Sequence, residues 1–187
     1  MVIGASFPDV GPSAAEADGP LAMLSQLHAR SLRQCATLRR LALYLNECGN
    51  DAQARRAAET VLRYFDVCAP RYRADEEDDL FPALLESMAG SDALCLKDLT
   101  SGMAQQHRAL ELLWGRLRPA LAAVAAGDAS TLDSREVEAF ANEYHSHVER
   151  EDSELLPMAA RLMTDEALQQ VWAAMRKRHG VPSPQPG

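Results

Sequence analysis

The sequence predicts an all-α protein, an antiparallel up-down four-helix bundle with a short extra C-terminal helix. Three observations predict it. Of the 187 residues 47% are hydrophobic and 25% charged, with only 5% aromatic; Ala, Leu, Arg and Glu are prominent and β-branched runs few, which favours helix. Apolar residues recur at helical spacing through four long stretches. Those stretches are joined by short connections, which makes neighbouring helices antiparallel.

Residues 1 to about 17 carry Gly, Pro, Ser and Ala without periodicity and are expected to form a flexible arm. The first helix opens at Asp18-Gly19-Pro20, where proline suits the first turn. It runs to about Leu45 on Leu21, Met23, Leu24, Leu27, Leu32, Leu38, Leu41 and Leu43, with polar His28 beside the stripe. A second helix follows the cap residue Asp51, carries Val61, Leu62, Tyr64, Phe65 and Val67, and is bent at Pro70. It is expected to end near Phe81-Pro82 with a short turn through Leu84 and Leu85.

The loop Ala89-Gly90-Ser91-Asp92 leads to a third helix over roughly 93–126, whose inner face holds Leu99, Met103, His107, Leu110, Trp114 and Leu117. A fourth starts near 130–134, carries Val137, Phe140, Tyr144, His147 and Glu151, and yields at Leu156-Pro157 to another turn. An amphipathic piece over about 164–178 holds Leu168, Val171, Trp172 and Met175 before a Pro- and Gly-rich end. The expected organisation is an arm over 1–17, a bundle over 18–162, and a C-terminal helix and frayed tail over 163–187.

The formal charge of −8 has its cations dispersed among acidic residues, so no electrostatic footprint for nucleic acid is present. No apolar run approaches the roughly 20 residues of a membrane span, and the N-terminus lacks a secretory signal pattern. A cytoplasmic protein is expected. Cys35, Cys48, Cys68 and Cys95 are widely spaced without a CxxC pair, so reduced and mostly buried thiols are expected.

The polar residues on inner faces carry the chemistry. His147 and Glu151 are four apart and stack on one helix face, able to reach one metal ion together. Tyr72 and Glu76 repeat the spacing, and both glutamates lie six residues before a proline, Pro82 or Pro157. His28 precedes Tyr72 by 44 residues, and His107 precedes His147 by 40, a weak internal repeat of helix hairpins. Antiparallel packing brings His28, Tyr72, Glu76, His107, His147 and Glu151 to one level, expected at one end of the bundle. Two glutamates can bridge a metal pair while each histidine caps one ion. Iron or manganese suits this nitrogen and oxygen set, which lacks the thiolates of closed structural zinc sites.

This arrangement, with Leu-Phe-Pro or Leu-Leu-Pro after each glutamate, resembles the hemerythrin-like HHE cation-binding domain over roughly residues 20–162. The resemblance implies a hemerythrin-like bundle with two non-haem irons per chain, in which His28, His107 and His147 are terminal ligands and Glu76 and Glu151 bridge. It also implies a small diatomic ligand such as oxygen or nitric oxide, or peroxide, in binding, sensing or stress response. Tyr72 stands where the family has histidine. Three outcomes follow: a phenolate ligand favouring ferric iron, a protonated donor beside the metal, or a site reduced to a single iron.

The sequence leaves two alternatives open. One is a di-iron oxidoreductase with a tyrosine ligand; the other is a metal-free helical interaction module, for which the acidic surface and extra amphipathic helix would suit a homodimer. The acidic residues Asp75, Glu77, Asp78, Asp79, Glu149 and Asp152 are read as solvated faces, His145 as facing away, and His179 as incidental. Glu111, one helical turn after His107, is a candidate acceptor for an imidazole N–H.

Overall fold

The computed structural model describes residues 17–87 and 92–181, all of whose regular elements are helical. The expected N-terminal arm, apart from Ala17, and the Pro-rich end lie outside them, as does most of the loop over 89–92. In chain order the elements are α1 (Pro20–Cys48), α2 (Ala52–Arg63), α3 (Ala69–Ala74), α4 (Phe81–Glu86), α5 (Asp92–Ala126), α6 (Ser134–Arg150), α7 (Leu156–Leu162) and α8 (Asp165–His179).

Local chemistry sets the ends. Pro20 lies in the first turn of α1, and Gly49 ends that helix at a φ of 76°, its N–H donating to Leu45 O at 3.0 Å. That backbone region costs a side chain dearly and glycine little. Asp51 caps α2 by accepting from the Gln53 and Ala54 N–H groups. Asp133 caps α6 in the same manner through Arg135.

The helices do not stop where the prolines suggest. α2, α3 and α4 join through π turns at Tyr64–Cys68 and Asp75–Leu80, and α6 joins α7 through another at Glu151–Leu155. In each, the residue just before a proline bonds five residues back: Ala69 N–H to Tyr64 O, Phe81 N–H to Glu76 O, Leu156 N–H to Glu151 O. Proline lacks an N–H, and its ring would strike the carbonyl four residues earlier in a regular α-helix. A widened turn relieves that clash and lets the rod continue. Both bridging candidates, Glu76 and Glu151, thereby sit on widened turns.

α1 packs against α2 and α6, and α5 packs against the same two, closing a four-helix ring. α8 lies across α1 and the π turn Asp75–Leu80. Burial follows the expected stripes except at Leu43 and Val67, which are exposed. Leu41, Ala42 and Leu45 fill the inner face of α1 instead, and Val67 rides on a π turn that resets the helical phase.

The core has two apolar layers. One gathers Leu38, Leu41, Val61, Phe65, Leu117, Leu121 and Phe140; the other Met23, Leu24, Leu80, Leu84, Met103, Leu155, Val171 and Met175. The polar residues lie between them, not at one end of the bundle as the sequence suggested. The bundle helices themselves run on past the polar level, with Met23, Leu80, Met103 and Leu155 beyond it, and Val171 and Met175 of α8 pack onto that layer.

Candidate metal centre

Five of the six predicted residues meet between those layers. His28 comes from α1, Glu76 from the second π turn, His107 from α5, His147 from the last turn of α6 and Glu151 from the turn after it. All five are at least nine-tenths buried. Glu76 turns one oxygen to each side: Oε1 is 3.7 Å from His28 Nε2 and Oε2 is 3.1 Å from His107 Nε2. Glu151 does likewise, with Oε2 3.0 Å from His28 Nε2, and Oε1 3.1 Å from His147 Nε2 and 3.8 Å from His107 Nε2. Donor atoms of Glu76, His107, His147 and Glu151 all lie within 4.8 Å of one another.

Proximity does not become hydrogen bonding at every contact. His28 Nε2 and Glu151 Oε1 are buried without an aligned hydrogen-bond partner, although each has an ionisable neighbour about 3 Å away. Buried polar atoms are seldom left so. Lone pairs that converge on shared points fit a cation better than they fit one another, and imidazole with carboxylate is a donor set for iron, manganese or zinc.

In the absence of a cation, protons take its place. Burial opposes charge on His28, but the carboxylates of Glu151 and Glu76 outweigh it and push the imidazole up to about 11. His107 is pushed up to about 10 by the same pair against the same burial penalty. Burial would raise Glu151, yet His107, His147 and His28 hold its carboxyl well below the usual range. A metal entering here must displace those protons.

The acidic runs are not merely solvated faces. His28 Nδ1–H donates to Asp152 at 2.6 Å, and His107 Nδ1–H donates to Glu77 at 2.6 Å. Such bonds leave each Nε2 facing the cluster and strengthen it as a ligand. Each acceptor directly follows a bridging candidate in the sequence, and each serves the histidine of the other half. Glu111, the acceptor considered from the sequence, instead pairs with Arg73 at the surface. Asp78 and Glu149 are exposed as expected, whereas Asp75 is fully buried. It binds Arg178 and accepts from His179 Nε2 at 2.6 Å, while Arg178 also reaches Asp79.

His179 is therefore not incidental: it ends α8 and stacks on Tyr72, ring centroids 5.3 Å apart at 21°. Tyr72 is half-buried and lines the same cavity as the five clustered residues. Burial, and Cys68 beside it, push its phenol up to about 12. Tyr144 and Trp114 also reach the cavity wall. His145 is exposed, as its phase predicts. All four cysteines are free, but only Cys35 is buried; Cys48 and Cys95 are exposed, since they fall at the end of α1 and on the outer side of α5.

The complementary acidic run over 75–79 and basic run over 176–179 were the available signal for the α8 contact. The acidic residue after each bridging glutamate was the signal for the imidazole acceptors.

Residues 7–159 match the family described as the hemerythrin HHE cation-binding domain. The chain belongs to that family. A protein of Haemophilus influenzae, named only as uncharacterized, is 27% identical over 162 residues, or 87% of this chain and 91% of its own length. As an HHE-domain protein the chain is a cation-binding protein with a buried His/Glu group to hold the metal. The matched region ends before α8, the helix that grips Asp75. Among the described residues no helix is long and apolar enough to cross a membrane.

Proposed function

We propose that the chain is a cytoplasmic non-haem iron protein that holds two irons and binds or senses oxygen, nitric oxide or peroxide. The observation that carries this reading is the two-sided use of both glutamates: each offers one oxygen toward His28 and the other toward the His107–His147 side. One iron would be held by His107, His147, Glu76 and Glu151, the other by His28 with the same two carboxylates. Iron so bound supplies a redox-active Lewis acid for a diatomic ligand or peroxide. The protein's own part is to hold five donors in place between two apolar layers and to orient His28 and His107 through the hydrogen bonds that their Nδ1–H groups donate to Asp152 and Glu77.

Tyr72 is the remaining candidate for the His28 side. Its high phenol pKa means that it stays protonated unless a cation provides the opposing charge. The reading is tested by elemental analysis of protein from iron-supplemented cells. Two irons per chain are expected, with nearly none in Glu151→Ala; full iron in that variant would sink the reading. A visible tyrosinate-to-ferric band that vanishes in Tyr72→Phe, with both irons retained, would make Tyr72 a ligand. Its absence from the wild type would make it a neighbour.

A further inference from the structure

The polar cluster forms the inner end of a cavity of about 240 Å³ that runs outward between α3 and α5. Its middle is aromatic: the Phe65 ring centroid lies 5.0 Å from Trp114, 4.9 Å from Phe140 and 5.4 Å from Tyr144. Gly115 and Arg118 on its rim are exposed, so it opens to solvent. A diatomic molecule needs little more than the ~30 Å³ of one water, whereas a void of about 150 Å³ accepts benzene. This cavity exceeds both.

Two features of the wall do not serve the metal centre. The π turn Tyr64–Cys68 carries none of the candidate ligands, yet it supplies Phe65 and Asp66 to the wall; π turns concentrate at functional sites. Gly115 sits inside α5, where glycine weakens a helix, and a Cβ built on it meets nothing within 4 Å. The cations at the mouth are already neutralised, Arg118 by Asp66 and Arg73 by Glu111. Among the described lining residues an anionic head group therefore finds no unpaired guanidinium at the mouth, and at the inner end the histidines are already paired with the Glu76 and Glu151 carboxylates.

We propose that the cavity binds a single-ring phenol, its ring against Phe65 and Trp114 and its hydroxyl toward the Glu76–Glu151 pair. An aromatic shaft ending in a few convergent polar groups is the ordinary form of a small-molecule site. The inference deepens the metal reading and rests on it for what the hydroxyl meets in the loaded protein. Binding itself is expected with or without metal.

The test uses the full chain carrying Trp172→Phe, which leaves Trp114 as its one tryptophan. Phenol is titrated against Trp114 fluorescence, excited where phenol does not absorb, in metal-free and metal-loaded protein. A saturable change at or below about millimolar phenol is expected, weakened about tenfold or more by Gly115→Leu. Benzoate should bind at least about tenfold more weakly than phenol. No saturable change overturns the proposal, as does benzoate binding equally well. Should Gly115→Leu fail to fold by circular dichroism, the phenol and benzoate titrations of the parent chain still decide. Metal analysis of the iron-treated sample separates the two readings: bound metal without phenol binding sinks only this one, and phenol binding in an iron-treated sample that takes up no metal sinks only the other.

Discussion

On one side of the carboxylate pair His107 and His147 both present nitrogen donors; on the other His28 stands alone, and the position that the repeat pairs with His147 holds Tyr72. Counting one atom from each carboxylate, the first side offers four protein donors and the second three. The histidines of α1 and α5 are treated alike, each donating a hydrogen bond from Nδ1–H to a carboxylate from the opposite half. What differs is the residue over which α8 folds: His179 stacks on Tyr72 and is itself held by buried Asp75. The repeat sets a common frame, and α8, which lies beyond the matched region, acts on one half of it.

The largest expected effect removes one half of the centre. His28→Ala should leave one metal per chain, held by the four donors of the other side, whereas His107→Ala should leave only His147 there beside Glu76 and Glu151 and lower the total further. Elemental analysis after dialysis against a weak chelator reads the difference. Equal loss in the two variants would mean that the halves load only as a unit, and the inequality argued from donor number would fall.

Asp75→Ala should act on stability before it acts on metal. It strips the partner from His179 and one of the partners from Arg178, beside the widened turn that carries Glu76. Breaking a buried pair from one side costs about 3 kcal/mol or more, and the partial exposure of Arg178 puts the expectation near about 3 kcal/mol. Urea unfolding of the metal-free protein measures it. A loss confined to metal affinity, with stability unchanged, would mean that α8 serves the centre and not the fold.

Much of the fold was legible because its signals are local. Asp51 and Gly49 mark helix ends by their own chemistry, and the four apolar stripes need no partner to be seen. His28, Glu76, His107, His147 and Glu151 were legible because repeated spacing on antiparallel rods fixes a common level. The prolines misled because their missing N–H is visible in the sequence while the compensating π turn is not. Asp75, Glu77 and Asp152 misled for a related reason: in an acidic run, composition gives every residue one reading, and only the widened turns decide which side chain turns inward. His179 depends on α8 folding back over α1, a tertiary contact that periodicity cannot encode.

The smallest expected effect is also the sharpest probe of the crossed wiring. Glu77→Gln and Asp152→Asn keep an acceptor for the imidazole N–H but remove its charge, and losing such a partner lowers metal affinity by about ten- to a hundredfold. Glu77 serves His107, and Asp152 serves His28. Glu77→Gln should therefore weaken the four-donor position, although Glu77 is the sequence neighbour of a carboxylate that both positions share. Asp152→Asn should weaken the three-donor position, and by less, because the Asp152 side chain is 48% exposed against 33% for Glu77. Stepwise metal titration of each variant in the His28→Ala background isolates the four-donor position. There Glu77→Gln should still lower affinity and Asp152→Asn should change nothing. An effect of Asp152→Asn in that background would show that these carboxylates act through the shared glutamates and not through the histidines they touch.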